Sequence, residues 1–229
     1  MKPIRLSLLE DNISYHFNDK ELLLLAMTHS SFANEHKGKS RKSNERLEFL
    51  GDAVLEITVS AYLYHTYPDY DEGQMTKIRS SMVCEYTLAS CARDINLGKF
   101  LFLSHGEDIT GGRERDSILS DAYEALIGAI YLDGGMEKAS AFIHGYLLED
   151  IGDRSLFYDA KTILQEMVQA ENAGSLSYSL VGESGPDHDK EFTVETLIGD
   201  RVYARGKGRT KKSAEQMAAY QTILLLKNQ

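Results

Sequence analysis

No tryptophan, three prolines and two cysteines occur in the 229 residues of this chain. Two cysteines cannot build a disulfide framework. Cys84 and Cys91 stand seven apart in an apparent helix and read as free core thiols in a reducing compartment. No cysteine pair has metal-ligand spacing, and the seven histidines are scattered, which argues against zinc. Long apolar runs are missing as well. Leu22 to Leu25 is far short of the roughly 20 residues that a membrane helix needs, and Met1-Lys2-Pro3-Ile4 opens no run of signal-peptide length. The expectation is a cytoplasmic protein with no membrane association. A surplus of positive charge is also absent: 25 Lys and Arg stand against 35 Asp and Glu, a net charge of −10. That balance speaks against nucleic-acid binding by the chain as a whole, but it can hide a local basic patch.

What is present suffices for one sizeable core and a second small domain, with 42% hydrophobic residues. Up to about residue 148 every periodic segment reads as helix. A short apolar turn covers residues 4–9, and Asp19-Lys20-Glu21 opens a capped helix. A basic loop spans residues 36–42. A long helix then runs from Ser43 or Asn44 to Tyr67, where Pro68 ends it. Asp71-Glu72-Gly73 opens another helix, and Gly106, Gly111 and Gly112 mark a loop. A helix over residues 117–132 stops at Asp133-Gly134-Gly135, and one more reaches about 148. Beyond residue 158 the pattern changes. Helix over 159–170 is followed by alternating strands over 176–180, 191–198 and 201–205, with a turn at Gly199-Asp200. An amphipathic helix over 213–226 places Ala214, Met217, Ala218, Leu224 and Leu225 on one face.

The stretch NERLEFLGDAVLEI, residues 44–57, carries the first chemical signal. On a wheel of 100° per residue, Glu45, Glu48 and Asp52 fall within about 60° of one another. Leu47, Leu50 and Val54 fill the opposite side, with Phe49 and Ile57 on the flanks, so the helix reads as central. Asp121 and Glu124 repeat the arrangement at i, i+3 in a second apolar helix. One such pair alone is explained as well by surface acids near a helix N-terminus. Two pairs on two core helices favour one acidic cluster, which is costly in a low dielectric unless neutralised. Hard divalent ions, Mg²⁺ above all, take oxygen ligands, and such sites suit in-line attack on a phosphodiester. Glu56 lies near the stripe one turn on and reads as structural.

The tail carries the second signal. From Asp159 onward ten acids face nine bases, and RVYARGKGRTKK, residues 201–212, holds Arg201, Arg205, Lys207, Arg209, Lys211 and Lys212 without an acid. Lys211 and Lys212 at a helix start make an anion site, and Gly206 and Gly208 let a backbone approach. A basic turn by itself is equally a solvated loop. Joined to the α-β-β-β-α order, it fits recognition of duplex RNA by shape.

These motifs resemble a known family. NERLEFLGDAVLE is similar to the signature of bacterial ribonuclease III, which also occurs in the nuclease domains of Dicer and Drosha. THSSFANE (residues 28–35), DEGQMTKIRS (71–80) and SILSDAYEALIGAIYLDGG (117–135) follow in that family's order. KTILQE, GPDH and GKGRTKKSAEQMAA resemble its double-stranded-RNA-binding domain. The resemblance implies an all-α endonuclease domain over 1–152, a linker over 153–158 and an α+β double-stranded-RNA-binding domain over 159–229. It implies a homodimeric endoribonuclease that needs Mg²⁺, with Mn²⁺ able to substitute, and no organic cofactor. The products would carry 5′-phosphate and 3′-hydroxyl ends with a short 3′ overhang, and ribosomal RNA precursors and other structured transcripts would be the substrates.

By motif match Glu48, Asp121 and Glu124 would ligate the metal, and Asp52, catalytic with Glu124, would orient the attacking water. Glu45 and Glu72 match supporting acidic positions, and Asn44 matches a neighbour that supports the site. Thr162, Gln165, Glu166 and Gln169 match a minor-groove face, His188 a second minor-groove contact, and Lys211 with Lys212 a phosphate clamp. Thr210, Ala160 and Ser177 depart from the family's usual residues. Phe49, helped by Leu47 or Leu50, is the expected dimer contact. Two other classes stay open at this point: a duplex-RNA-binding module whose acids are structural, and a metal-dependent phosphatase indifferent to the tail.

Overall fold

The computed structural model describes residues 5–35, 42–149, 160–185, 190–208 and 210–227. Two compact units divide the chain, Met1–Ile151 and Gly152–Gln229. The first is helical: α1 (Leu6–Asn12), α2 (Lys20–Ala26), α3 (Ser30–Glu35), α4 (Glu45–Thr66), α5 (Glu72–Met82), α6 (Glu85–Asp94), α7 (His105–Ile109) and α8 (Asp116–Ile143). Local chemistry sets the ends. Asp19 accepts from the Glu21 N–H at 2.9 Å and starts α2. A capping box starts α5: Asp71 accepts from the Gln74 N–H at 2.8 Å, and Gln74 accepts from the Asp71 N–H at 2.9 Å. Gly135, at φ 78° and ψ −178°, breaks α8 within the expected stop Asp133-Gly134-Gly135. The expected loop at Gly106 to Gly112 is instead the short helix α7 and a 3₁₀ turn, Gly112–Glu114.

The most extensive helix pair is α4 with α8. Leu55, Val59 and Leu63 of α4 and Ala122, Leu126, Ala129 and Ile130 of α8 are buried in one core with residues of α2 and α6. Each fully buried Leu or Ile there stabilises the unit by about 1.5–3 kcal/mol. The pair can lie this close because glycine faces glycine. A Cβ on Gly51 would sit 1.8 Å from the Glu124 carbonyl oxygen, and one on Gly128 would sit 2.2 Å from that of Leu47.

The wheel reading of α4 needs two corrections. Phe49 is 81% exposed and Ile57 55%, so the helix is not buried all round despite its apolar flanks. With Ala53 and Ala61, also exposed, they form an apolar stripe on the surface of this unit. Leu47 is 4% exposed and belongs to the core, which removes it from any contact with a partner. Of the two thiols, Cys91 is buried as expected, whereas Cys84 is half-buried at the start of α6.

The second unit runs α9 (Ala160–Ala170), β1 (Leu176–Ser184), β2 (Glu191–Ile198), β3 (Arg201–Gly208) and α10 (Lys211–Lys227). Its sheet is antiparallel in the order β1-β2-β3, as the alternation implied. β1 and β3 run longer than expected. In β1 a shift between Leu180 and Gly182 realigns the register, and pairing continues to Ser184 with Glu191. Leu164 and Val168 of α9, Ile198 of β2 and Ala219 and Ile223 of α10 share a core. The buried face of α10 is Ala214, Ala218, Ala219, Thr222 and Ile223, while Leu225 is 47% exposed. Gly206 and Gly208 do admit a close backbone, but it is that of α10: Cβ atoms there would meet the Ala218 nitrogen at 2.1 Å and the Ala214 nitrogen at 2.6 Å.

Candidate active site

The Gly51–Gly128 contact brings the acidic segments of α4 and α8 together. Glu48 precedes Gly51 by three residues and Asp52 follows it by one. Asp121 and Glu124 lie two turns and one turn before Gly128. The Gly51 backbone rests against that of Glu124 itself, so the α4 acids cannot be far from the α8 acids. Electrostatics records the crowding. Burial, then Asp52, Asp121 and Glu48, push Glu124 from 4.5 up to about 8. Burial, then Asp121, Glu45 and Asp52, push Glu48 up. Burial also raises Asp121, against a lowering by the Ser120 hydroxyl and by His29.

Glu10 shows what a satisfied buried acid looks like in the same unit. It is 4% exposed, accepts from the Phe17 N–H at 2.7 Å and pairs with Lys20 at 2.5 Å. Among the described residues, Glu48, Asp52 and Glu124 have neither a cation nor a hydrogen-bond donor. Among those residues, too, no three His, Cys, Asp or Glu side chains are placed to hold a metal as they stand. The donor set nevertheless suits a hard divalent ion: carboxylate oxygens that repel one another, with no Lys or Arg paired to them among the described residues.

The supporting positions separate. Asn44 is 3% exposed; its N–H donates to the Thr28 carbonyl at 2.9 Å, and its carbonyl accepts from the Leu47 and Glu48 N–H groups. It therefore ties the first turn of α4, where Glu48 lies, to the segment before α3. Glu45 is exposed, accepts from the Ser43 hydroxyl at 2.7 Å and acts on Glu48. Glu72 is exposed in the first turn of α5 and accepts from Thr76 at 3.1 Å; the charges acting on Glu48, Asp121 and Glu124 do not include it. Glu56 pairs with Arg79 at 2.9 Å, a structural role.

In the second unit Thr162, Gln165, Glu166 and Gln169 lie on the face of α9 opposite the buried Ala160, Leu164 and Val168. The spacing of 3, 1 and 3 residues puts them on one helix face. His188 lies outside the described residues. Lys211 and Lys212 are exposed in the first turn of α10. Thr210 and Ser213 cap that turn reciprocally at 3.0 and 3.1 Å, so threonine at 210 keeps the capping hydroxyl. The basic stretch is smaller in effect than in sequence. Arg205 pairs with Glu195 at 2.6 Å and Lys207 with Glu191 at 2.8 Å across β2 and β3, and Arg201 lies over the Tyr203 ring. Among the described residues Lys211 and Lys212 have no acidic partner. Lone glycines inside strong helical patterns were the signal for Gly51 and Gly128, which sequence reasoning passed over.

A family model described as ribonuclease-III-like matches residues 19–151, and one described as a double-stranded RNA binding motif matches residues 160–226. The chain is 51% identical over 222 residues to Ribonuclease 3 of Caldanaerobacter subterraneus subsp. tengcongensis, over 95% of this chain and 96% of that protein. It is 46% identical over 213 residues to Ribonuclease 3 of Listeria welshimeri serovar 6b, over 92% and 93%. Two solved structures of the nuclease domain of ribonuclease III from Campylobacter jejuni are similar. One has a TM-score of 0.58 and 44% identity over 66% of this chain and 97% of that one. The other, described for flexibility in a region involved in dimer formation, has a TM-score of 0.59 and 43% identity over 63% and 97%. Fold and matches together define an endoribonuclease unit followed by a double-stranded-RNA-binding domain. The chain belongs to the ribonuclease III family.

Proposed function

We propose that the protein hydrolyses phosphodiesters of double-stranded RNA with a divalent ion, Mg²⁺ in the cell and Mn²⁺ in substitution, and that it processes ribosomal RNA precursors and other structured transcripts in the cytoplasm. The observation that carries this reading is the glycine-to-glycine contact of α4 with α8, which sets Glu48 and Asp52 near Asp121 and Glu124, with burial and the other three acids raising Glu124 and no Lys or Arg paired with any of the four among the described residues. A bound divalent ion would supply an activated water and neutralise charge developing on the phosphate. Glu48, Asp121 and Glu124 would hold it. Asp52, exposed at the edge of the cluster, would orient the water for in-line attack, leaving a 5′-phosphate and a 3′-hydroxyl. No side-chain nucleophile is required.

The exposed stripe of Phe49, Ala53, Ile57 and Ala61 supports a homodimer, as does the dimer-forming region of the Campylobacter jejuni domain. A two-fold pair brings one acidic cluster to each strand, and offset cuts leave the short 3′ overhang. In the second domain, the α9 face of Thr162, Gln165, Glu166 and Gln169 suits 2′-hydroxyls in a minor groove, and Lys211 with Lys212 suits phosphates. A labelled RNA duplex incubated with and without Mg²⁺ tests the whole reading. Metal-dependent cleavage to 5′-phosphate ends is expected. An intact duplex across metals and salts, with binding retained, would leave a binding module.

The ion pairs on the sheet sharpen one expectation. Replacing Lys211 and Lys212 by Ala should weaken duplex binding and reduce the log–log salt slope by about one to two units, near 0.9 for each phosphate that is no longer neutralised. Replacing Arg205 and Lys207 should leave the slope unchanged, because Glu195 and Glu191 already neutralise them. Binding titrations over a salt series distinguish the two, and equal slopes in both double variants would place the clamp elsewhere.

A further inference from the structure

Glu215 is the only acid of α10, and it stands four residues after Lys211 and three after Lys212. Residues at those intervals are neighbours on a helix surface, where a carboxylate and an ammonium pair. Neither lysine takes it. Lys161, in the first turn of α9, donates to the Glu215 carboxylate, and among the described residues this is the one ion pair of Glu215. Both side chains are half-buried. The Lys161 Nζ also lies 4.8 Å from the centroid of the Tyr178 ring in β1, so the cation is shared between a carboxylate and an aromatic face. Burial, then the Glu215 charge, push the Tyr178 hydroxyl up to about 12, which agrees with a carboxylate turned toward α9 and β1. The Lys211 ammonium goes elsewhere, 5.9 Å from the centroid of the Phe192 ring in β2.

The acids on the sheet behave differently. Glu195 and Glu191 pair with Arg205 and Lys207 and neutralise them. Glu215 is within helical reach of Lys211 and Lys212 and would do the same to one of them if it were unengaged. An acid that neutralises one lysine removes about one phosphate contact. The contact with Lys161 prevents this, because it directs the carboxylate across to α9.

We infer that Lys161 is a positioning residue for the lysine pair: by holding Glu215 against α9 and Tyr178, it keeps Lys211 and Lys212 free to meet phosphates. This rests on the proposal that those two lysines are the phosphate clamp. Lys161 and Glu215 together add no net charge to the domain, yet their pairing decides where the positive charge of α10 can act.

Duplex binding by the full chain in Ca²⁺, measured over a salt series, tests this. Lys161→Met keeps an apolar stem over the Tyr178 ring and removes the charge. It should weaken binding roughly five- to tenfold at about 0.1 M salt and lower the log–log slope by about one unit, the share of one phosphate contact. Adding Glu215→Gln to Lys161→Met removes the released acid, so this double variant should return to the wild-type slope and to within about twofold of wild-type affinity. Lys161→Met added to Lys211→Ala and Lys212→Ala should cost nothing further, because no lysine is left for Glu215 to neutralise. Wild-type affinity and slope in Lys161→Met overturn the inference. So does a Lys161→Met, Glu215→Gln protein as weak as Lys161→Met alone, which would mean that Lys161 touches phosphate itself or only braces the fold. An additive loss in the triple variant overturns it as well. An unchanged slope in Lys211→Ala with Lys212→Ala is a different result: the clamp reading has then failed, and the inference falls with it.

Discussion

Glu124→Ala should abolish duplex cleavage, by roughly three orders of magnitude or more, while duplex binding in Ca²⁺ stays at the wild-type level. Losing an outer partner of a metal site costs roughly 10–100-fold, and Glu124 is proposed as a direct ligand, so the loss should be larger. Binding should be spared because the α9 face and the lysine pair proposed to hold the duplex lie in the other domain. Near-normal turnover in Glu124→Ala would refute its role. A second readout needs no RNA. Folded Glu124 holds its proton up to about pH 8, through burial and then Asp52, Asp121 and Glu48, whereas an unperturbed glutamate releases it near 4.5. Between those values the folded state binds more protons than the unfolded one, so stability falls as pH rises. The fall is at most about 1 kcal/mol per pH unit once the residual solvent exposure of the carboxyl is discounted. Glu124→Gln should remove that slope and leave the metal-free protein more stable than wild type at pH 8. Mg²⁺ should stabilise wild type, by about 2.7 kcal/mol at one hundred times its dissociation constant, and Glu124→Gln much less. Thermal unfolding across pH, with and without Mg²⁺, reads all three effects.

The parts of this site that were legible in the sequence are those set by local spacing. The interval of 3 then 4 residues among Glu45, Glu48 and Asp52, and of 3 between Asp121 and Glu124, survives folding because a helix fixes it. The exposed face of α9 follows from the same rule, and the strand β2 from period 2. What was not legible depends on partners distant in sequence. A helical wheel reports that Phe49 is apolar, but not whether it meets the core or a second chain, and it is 81% exposed. A charge count over residues 201–212 cannot see that β-pairing puts Arg205 opposite Glu195. Nor can composition say which backbone Gly206 admits, and it is that of α10. Gly51 sits within the family signature, yet its reason is an atom on a helix 73 residues away, the Glu124 carbonyl oxygen.

Gly51→Ala should unfold or severely destabilise the helical domain, and any folded fraction should be nearly inactive. On propensity alone the change is favourable, since alanine gains about 1 kcal/mol over glycine inside a helix. Sterics decide the sign. The new methyl would lie 1.8 Å from the Glu124 oxygen, 2.6 Å from its carbonyl carbon and 3.0 Å from the Gly128 nitrogen. All three are backbone atoms of α8, so no rotamer change relieves the contact, and α4 and α8 must separate. Separation unpacks Leu55 and Val59 from Leu126 and Ile130 in the core. Overpacking of this kind costs about 1–3 kcal/mol when side chains can yield, and more when they cannot; a domain holds only about 5–15 kcal/mol in total. Gly73→Ala is the control: its Cβ meets only the Asp71 carboxylate, at 3.4 Å, so it should be neutral or stabilising by up to about 1 kcal/mol. Urea unfolding of both variants reads the energetic half, and a Gly51→Ala protein as stable as wild type would mean the helices do not touch there. The catalytic half follows from the same contact. Moving Glu48 and Asp52 away from Asp121 and Glu124 by about 1 Å is enough to cost roughly a hundredfold in rate. The residual activity of folded Gly51→Ala should therefore fall further than its stability does, because one backbone contact both closes the core and sets the distance between the two pairs of carboxylates.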